Sequence, residues 1–244
     1  MADAELTRHR VERLLRAQRG NGDVGGGTVA TLERLCRCVC QDLDLFGAAV
    51  TLMPGTETHV VSAASGPGSR RLEESQFGAG EGPTSAAFAS RRPVLVADLR
   101  VEGALRWPGW VAEALDAGVN AVYAFPLQVG ASVFGVLALY AADSPGLDTE
   151  GLHTALVFAD LATETLLDSS MPTDGLQLEH DLDKTLGTHA HIYQAQGMLM
   201  VDLGISLAEA LARMRAHAWA TGQDLATLAG EIVAGRLTLP RDEH

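Results

Sequence analysis

The chain has 244 residues, enough for two domains of ordinary size. Hydrophobic residues make up 47% of the chain and charged residues 20%, which excludes a disordered or fibrous protein. The formal net charge is −13, so bulk nucleic acid is repelled unless some local surface is less acidic than the whole. The longest apolar run, 133–142, is about half a membrane span, and no signal peptide is visible, so we expect a cytoplasmic protein without membrane segments.

The N-terminal region predicts two helices separated by glycines. Residues 5–19 form an arginine-rich amphipathic stretch, and five glycines between 20 and 27 predict a flexible break. A helix is expected over about 28–45. It carries Cys36, Cys38 and Cys40, for which core filling is favoured, with a redox or ligand role as the alternative. No metal site is predicted, because no histidine or fourth cysteine stands at zinc-finger spacing.

The middle of the chain predicts an antiparallel α+β domain. Five strands are expected, at 48–54, 59–65, 93–99, 121–127 and 132–142, with helices at 83–90, 108–118 and 148–167. Residues 66–82 are predicted to be a loop, and the Glu73–Glu74 pair within it to be solvated. Linker composition follows at 169–175, and the chain is helical again from about 176.

The C-terminal residues predict three short helices. The first contains the sequence QAQGMLM, 194–200. The second begins at Ser206, where Glu209 stands at capping-box spacing, and ends at Gly222. A third apolar face runs from Leu225 to Ile232. We therefore expect an all-α three-helix unit after the α+β domain.

Residues 28–168 closely resemble the GAF domain. The resemblance rests on GAGEGPTSAAFASRRPVLVADL (78–99), RWP (106–108) and GVNAVYAFPLQVGASVFGVLALY (118–140), which keep the order and spacing of the family. It implies a sensor or dimerisation module, in which an antiparallel sheet has helices on one face and a loop-closed pocket on the other. The predicted pocket residues are Phe77, Phe88, Trp107, Trp110 and Tyr123. A small-molecule ligand is a possible partner of this pocket, with simple core packing as the alternative, and no cofactor is predicted.

The three C-terminal helices resemble the ANTAR domain, an RNA-binding transcription antitermination module. Ala195, Gly197 and Leu199 match packing residues of the family's first helix, and Arg215 matches an arginine of its second helix. The chain departs from the family at Gln196, where a lysine is usual, and residues 176–244 carry nine acidic against five basic side chains. The RNA-binding residues predicted from the resemblance are His191, Gln194, Gln196, Gly197, Arg213 and Arg215.

Simpler interpretations accompany several of these residues. Gly197 is interpreted first as a site of close helix packing, and Arg213 as the partner of Glu209 in an i,i+4 ion pair. Trp219 is expected to close a small core, with stacking on a base as the alternative.

The sequence thus predicts four segments: an N-terminal helical arm and glycine-rich break at 1–27, a GAF domain at 28–168, a linker at 169–175 and an ANTAR domain at 176–240. The predicted function is a signal-responsive regulator, a homodimer that binds hairpin RNA to promote antitermination. One alternative is a protein-interaction module without RNA binding, which the acidic C-terminal end favours. A DNA-binding regulator ranks last, because the three C-terminal helices include no basic recognition helix. We expect no enzyme activity, since no recognisable catalytic motif is present.

Overall fold

The computed structural model describes residues 2–18, 27–55, 58–142, 147–169 and 190–240. Two compact units divide the chain, Met1–Phe77 with Glu81–Leu182 in one and Gly78–Gly80 with Asp183–His244 in the other. The predicted glycine-rich break and most of the predicted linker lie outside the described residues, as does the start of the predicted ANTAR segment. The domain boundaries drawn from the sequence therefore stay predictions.

The first unit is an α+β fold built on one antiparallel sheet. Its strands are β1 (Gly47–Gly55), β2 (Thr58–Ala64), β3 (Val94–Val96), β4 (Ala121–Val129) and β5 (Ser132–Ala141), in the spatial order β2-β1-β5-β4-β3. Every neighbouring pair is antiparallel. The five predicted strands are thus confirmed, although β3 is shorter than expected because a π-helical turn begins at Leu99.

Helices cover both faces of this sheet. On one face lie α1 (Ala2–Ala17), α2 (Thr28–Leu43) and α7 (Thr149–Ser169), whose apolar side chains share a core with alternate residues of β4 and β5. On the other lie α3 (Pro67–Ala79), α4 (Pro83–Ser90) and α6 (Pro108–Asp116), and the short exposed turn α5 (Ala104–Arg106) precedes α6. The family resemblance implied loops on this second face, where the structure has mostly helices.

The prediction of a loop over residues 66–82 is wrong. Helix α3 occupies most of this range and begins at Pro67, a residue whose fixed φ suits the first turn of a helix. Its buried face consists of Ser69, Leu72, Glu73, Gln76 and Phe77, which are spaced as one side of a helix. Only two of the five are apolar. The helical period is therefore present in the sequence but is carried largely by polar side chains.

The second unit contains three helices among its described residues. They are α8 (Ala190–Leu203), α9 (Leu207–Thr221) and α10 (Leu225–Val233), and α8 meets α9 at a bend of 108°. The Ser206 side chain caps α9 by accepting a hydrogen bond from the N–H of Glu209 at 3.2 Å. Gly222 ends the helix with φ +67°, a conformation that glycine adopts without strain. The predicted three-helix unit is confirmed.

Replacing Asp224 with alanine is expected to destabilise the second unit by about 1 kcal/mol at neutral pH, because its side chain caps α10. Partial burial opposes ionisation, but hydrogen bonds from Thr227 and from backbone N–H groups outweigh it and lower the pKa of Asp224. A lowered pKa gives stability that is present above the unfolded-state value of about 3.9 and is lost as the pH falls through the folded-state value. Urea unfolding at pH 7 and pH 3, followed by circular dichroism, measures the free energy of unfolding of the wild type and the variant.

Asp224→Asn is the matched control, because asparagine keeps the capping oxygen but carries no charge. It should retain most of the stability at pH 7 and lose the pH dependence. Equal destabilisation by alanine and asparagine would contradict a capping role.

No single helix in the described ranges has the length and hydropathy needed to cross a bilayer, although the bent pair α8 and α9 passes the same test by length and composition alone.

Candidate functional site

One side of α8 is turned outward and carries three of the residues predicted to contact RNA. His191 and Gln194 are exposed, and Gly197 is half-buried. These residues recur at three-residue steps, so they lie along one side of the helix, and Val201 continues this side with an exposed side chain. We call the side formed by His191, Gln194, Gly197 and Val201 the α8 outer face.

Gln196 lies on the opposite, inward side of α8. Its side chain is 4% exposed, and its Nε2 donates a hydrogen bond to the carbonyl oxygen of Leu207 at 2.7 Å. Leu207 is the first residue of α9. Gln196 therefore ties α8 to α9. Neighbouring Ala195 and Leu199 are buried on the same inward side.

Among the residues that the structure describes, Gly197 has no close packing contact that its lack of a side chain would explain. A Cβ atom placed at Gly197 would meet nothing within 4 Å outside its own helix. The interpretation of this glycine as a site of close helix packing therefore has no support in the structure. A glycine inside a helix costs roughly 0.5–1 kcal/mol relative to alanine, and no packing contact among the described residues offsets this cost at Gly197.

The two arginines predicted to bind RNA lie on α9. Arg213 Nη2 forms an ion pair with Glu209 Oε1 at 3.2 Å, which confirms the simpler interpretation of this residue. Arg215 stands two positions further along, so it projects from a different side of the helix. The structure therefore does not place both arginines on one surface of α9.

Trp219 is the most exposed large apolar side chain among residues 190–240, at 83%. The expectation that it closes a small core is wrong. Ala210, Leu211, Met214 and Ala218 are the buried residues of this helix, and Trp219 follows Ala218 by one position, about 100° around the helix. The exposed position of Trp219 could therefore have been predicted from the helical periodicity of the sequence.

The described three-helix part is much less acidic than the whole C-terminal region. Residues 190–240 contain four acidic side chains and three arginines. The remaining five acidic side chains of 176–244 belong to residues outside this range. The helices themselves are thus close to neutral, and the acidity of the region does not lie on the α8 outer face.

In the first unit, the five predicted pocket residues do not surround one space. Trp107, Trp110 and Phe88 belong to the core beneath α3, α4 and α6, where the two indole rings are 6.1 Å apart in an edge-to-face arrangement. Tyr123 faces the opposite side of the sheet, toward α2 and α7, and its hydroxyl accepts a hydrogen bond from the N–H of Leu147 at 3.0 Å. Phe77 is buried against the ring of His59.

Beneath α3, a buried carboxylate takes part in a polar network. Glu73 is 3% exposed, in contrast to the solvated charge expected from the sequence. Its oxygens accept hydrogen bonds from Thr51 at 2.7 Å, Thr84 at 2.9 Å and Gln76 at 3.1 Å, and from the hydroxyl of Tyr140. Burial raises the pKa of Glu73, and these donors offset part of the effect. We call these five residues the Glu73 network.

The Glu73 network could not be found from sequence spacing, because it joins two strands and two helices through hydrogen bonds that span up to 67 residues of the chain. Gly82 completes it. This glycine has φ +151°, and a Cβ atom there would lie 2.5 Å from Cγ of Gln76. The Gln76 Oε1 atom in turn accepts a hydrogen bond from the N–H of Thr84 at 2.8 Å. The glycine of the GEGP motif thus leaves room for a buried glutamine.

The three cysteines lie at the core of the first unit. Cys36 and Cys38 are buried, and Cys40 is half-buried. Burial raises the pKa of the Cys38 thiol to about 11 and that of Cys36 further. The thiols are therefore protonated at neutral pH and weakly nucleophilic, which supports core filling. The described residues form no cluster of three or more His, Cys, Asp or Glu side chains that could hold a metal ion.

Comparison with known proteins gives two family matches and a set of similar folds. A model described as GAF domain matches residues 29–166, and one described as ANTAR domain matches residues 180–233. The GAF domain of a phosphoenolpyruvate-protein phosphotransferase from Acinetobacter has a TM-score of 0.50 at 11% identity, with 68% of this chain and 94% of that chain covered. The corresponding domain from Coxiella burnetii has a TM-score of 0.50 at 14% identity, with 67% and 96% covered.

These identities are low enough that the solved structures bear on the fold alone. The search of curated proteins found no match.

Proposed function

Because the chain belongs to the GAF domain family and carries an ANTAR domain behind its GAF domain, we propose that it is a cytoplasmic regulator that binds hairpin RNA. Both domain types are regulatory rather than catalytic, and their combination is that of regulators of the antitermination type. We assign residues 28–168 to the GAF domain and 176–240 to the ANTAR domain. The RNA partner is a leader transcript with two hairpins, whose loops are held by two ANTAR domains.

The observation that carries this proposal is the open space over Gly197 on the α8 outer face. A helix-interior glycine without a packing neighbour is what a close approach by a ligand backbone requires. Gln194 and His191 stand beside it with exposed side chains that are able to hydrogen-bond the edges of unpaired bases. Arg215 on α9 supplies a phosphate contact. Gln196 supports this surface by fixing α8 against α9 rather than by touching RNA.

The distribution of charge supports RNA binding by the α8 outer face. The α8 outer face carries no carboxylate from Ala190 to Val201, and the first acidic residue after it is Asp202. Few cations means few phosphate contacts, so the salt dependence should be shallower than for a basic RNA-binding domain. Recognition then relies more on hydrogen bonds and stacking at unpaired bases than on counterion release.

Dimerisation through the GAF domain would bring two such surfaces together. Leu6 and Leu14 on α1, and Leu156 and Leu167 on α7, are exposed apolar side chains on adjacent helices. Arg8 of α1 is joined to Glu164 of α7 at 2.6 Å, so the two helices present this apolar surface as a unit. We assign it to a homodimer contact. A signal that alters the dimer geometry would set whether both loops are reached.

The experiment is a mobility-shift titration of the intact protein with a double-hairpin RNA at about 50 mM and 200 mM salt, the range over which phosphate contacts are weakened. We expect binding at low salt that weakens modestly at high salt. Replacing Gly197 with alanine should lower RNA affinity about tenfold, since a methyl group then blocks the close approach. The same change should raise the free energy of unfolding by about 0.5–1 kcal/mol.

Gly230→Ala is the matched control. Gly230 also lies inside a helix of the second unit, and a Cβ atom there also meets nothing within 4 Å. It should gain the same stability and keep wild-type RNA affinity. Equal RNA affinity of the two variants would contradict the assignment of the α8 outer face. Absence of RNA binding at low salt would support the protein-interaction alternative, for which exposed Val201 offers an apolar contact.

A further inference from the structure

We propose that Trp219 is a base-stacking site, in which the exposed indole ring holds an unpaired base of a folded RNA loop. The inference rests on the proposed RNA binding and names a contact within it. Its starting observation is the orientation of a large aromatic ring that packing does not explain, since 83% of the side chain is exposed on an ordinary helix. Such a ring costs free energy in water unless a partner covers it.

The surroundings of Trp219 suit a flat, uncharged partner. Ala216 and Ala220 beside it are exposed and small, so the indole ring stands clear of its neighbours. Within α9 the sole acidic residue is Glu209, almost three turns away, and it is paired with Arg213. Every base has a π-face, whatever the RNA sequence, and stacking on an aromatic side chain requires no complementary charge.

A cation lies one helical turn before this ring. Arg215 and Trp219 are spaced i,i+4 along α9, and the Arg215 guanidinium lies over Gly80, where an added Cβ atom would be 3.2 Å from its Nη1. A nucleotide likewise offers both a base and a phosphate. The arginine and the indole ring therefore match the two chemical parts of one loop nucleotide, which favours RNA over an apolar protein surface as the occupant.

The three tryptophans of the chain make this proposal directly measurable. Trp107 and Trp110 are 5% and 1% exposed, so Trp219 supplies the solvent-exposed emission. Acrylamide should quench this emission in the free protein. Adding double-hairpin RNA should quench it further through stacking and should then protect it from acrylamide.

The decisive test is a double-mutant cycle on the intact protein. We expect Trp219→Ala to weaken binding of the double-hairpin RNA between about fivefold and a hundredfold, the range known for loss of one stacked base. Trp219→Phe, which keeps an aromatic face, should lose less than about threefold, and Trp219→Leu should resemble alanine. For wild-type protein, RNA with abasic loop nucleotides should bind more weakly than intact RNA. For Trp219→Ala, the two RNAs should bind with equal affinity, because the stacking contact is already lost.

Each outcome separates the inference from its premise. Wild-type protein that binds no RNA would overturn both the proposed function and the stacking site. RNA binding that is equal in wild-type and Trp219→Ala, or equally sensitive to abasic loops in both, would overturn the stacking site and leave the proposed function standing. A variant that changes the oligomeric mass in light scattering without changing RNA affinity would show that Trp219 is a protein contact, which also overturns it.

Discussion

Replacing Gly82 with alanine should destabilise the GAF domain by at least about 2 kcal/mol, the sum of backbone strain and displacement of a buried side chain. Gly82 has φ +151°, which side-chain-bearing residues rarely adopt, and its missing Cβ leaves space for the amide of Gln76. Displacing Gln76 breaks its hydrogen bonds to Glu73, Thr84 and Tyr140 together. For a domain of this size the melting temperature should fall by roughly 4–8 °C.

Gly66→Ala provides the control for this prediction. Gly66 also lies next to the start of a helix, and a Cβ atom there meets nothing within 4 Å. Its melting temperature should stay within about 2 °C of the wild type, as surface substitutions generally do. If calorimetry gives both variants the melting temperature of the wild type, the packing of Gln76 against Gly82 does not stabilise the domain.

Replacing Glu73 with glutamine should stabilise the protein at neutral pH and alter how stability depends on pH. All four partners of the Glu73 carboxylate are uncharged, so ionisation places a negative charge in the core without a cation. Glutamine keeps the shape, since its oxygen can accept from Gln76, Thr84 and Tyr140 while its amide donates to Thr51. The network therefore survives this substitution, whereas Glu73→Ala would strand several buried donors.

The sign of the pH effect follows from the raised pKa of Glu73. An acid whose pKa is higher in the folded than in the unfolded state binds more protons when folded, so stability falls as the pH rises through the interval between the two values. Relative to Glu73→Gln, wild-type protein should therefore lose about 1.4 kcal/mol for each unit by which the pKa is raised. This loss begins near the unfolded-state value of about 4.3.

Urea unfolding of both proteins from pH 4 to pH 8 measures this difference. Glu113→Gln is the control, because Glu113 is partly exposed and paired with Arg71 at 3.0 Å. A difference between wild type and Glu73→Gln that is constant with pH would contradict a raised pKa.

Elements whose buried positions are apolar could be predicted from the sequence, and elements whose buried positions are polar could not. The strands were found because apolar residues fill them, and α2 and α7 because of their length and apolar content. Helix α3 was missed although Ser69, Leu72, Glu73, Gln76 and Phe77 keep a helical period. Three of these five are polar, and a search for apolar residues passes over them. The two apolar members, Leu72 and Phe77, are too few to define a helical face.

Two errors at single positions had a signal in the sequence. Tyr123 was placed in a pocket with Trp110, but alternation along β4 puts it on the same side as Phe125 and opposite Val122. Trp219 was expected in a core although it directly follows Ala218, a residue of the apolar stripe of α9. In both cases the period of the element outweighs the general tendency of aromatic side chains to be buried.

The burial of Glu73 and of Gln196 was not predictable in this way. Glu73 is held by side chains from β1, β5 and α4, and Gln196 by a backbone carbonyl eleven residues away. Polar groups enter a core when partners satisfy them, and those partners are brought together by the fold. The lysine expected at position 196 from the family resemblance would carry a charge, whereas glutamine fits this hydrogen bond without one.

The most direct test of RNA binding by the three-helix unit is photo-crosslinking of the intact protein to a double-hairpin RNA with 4-thiouridine in its loops. Mass spectrometry then identifies the peptides that carry the nucleotide. The α8 outer face and the side of α9 that carries Trp219 predict crosslinks within Ala190–Leu203 and Leu207–Thr221, which unlabelled hairpin RNA removes and duplex DNA does not. Crosslinks confined to the GAF domain, or none above the level given by duplex DNA, would contradict RNA recognition by the ANTAR helices.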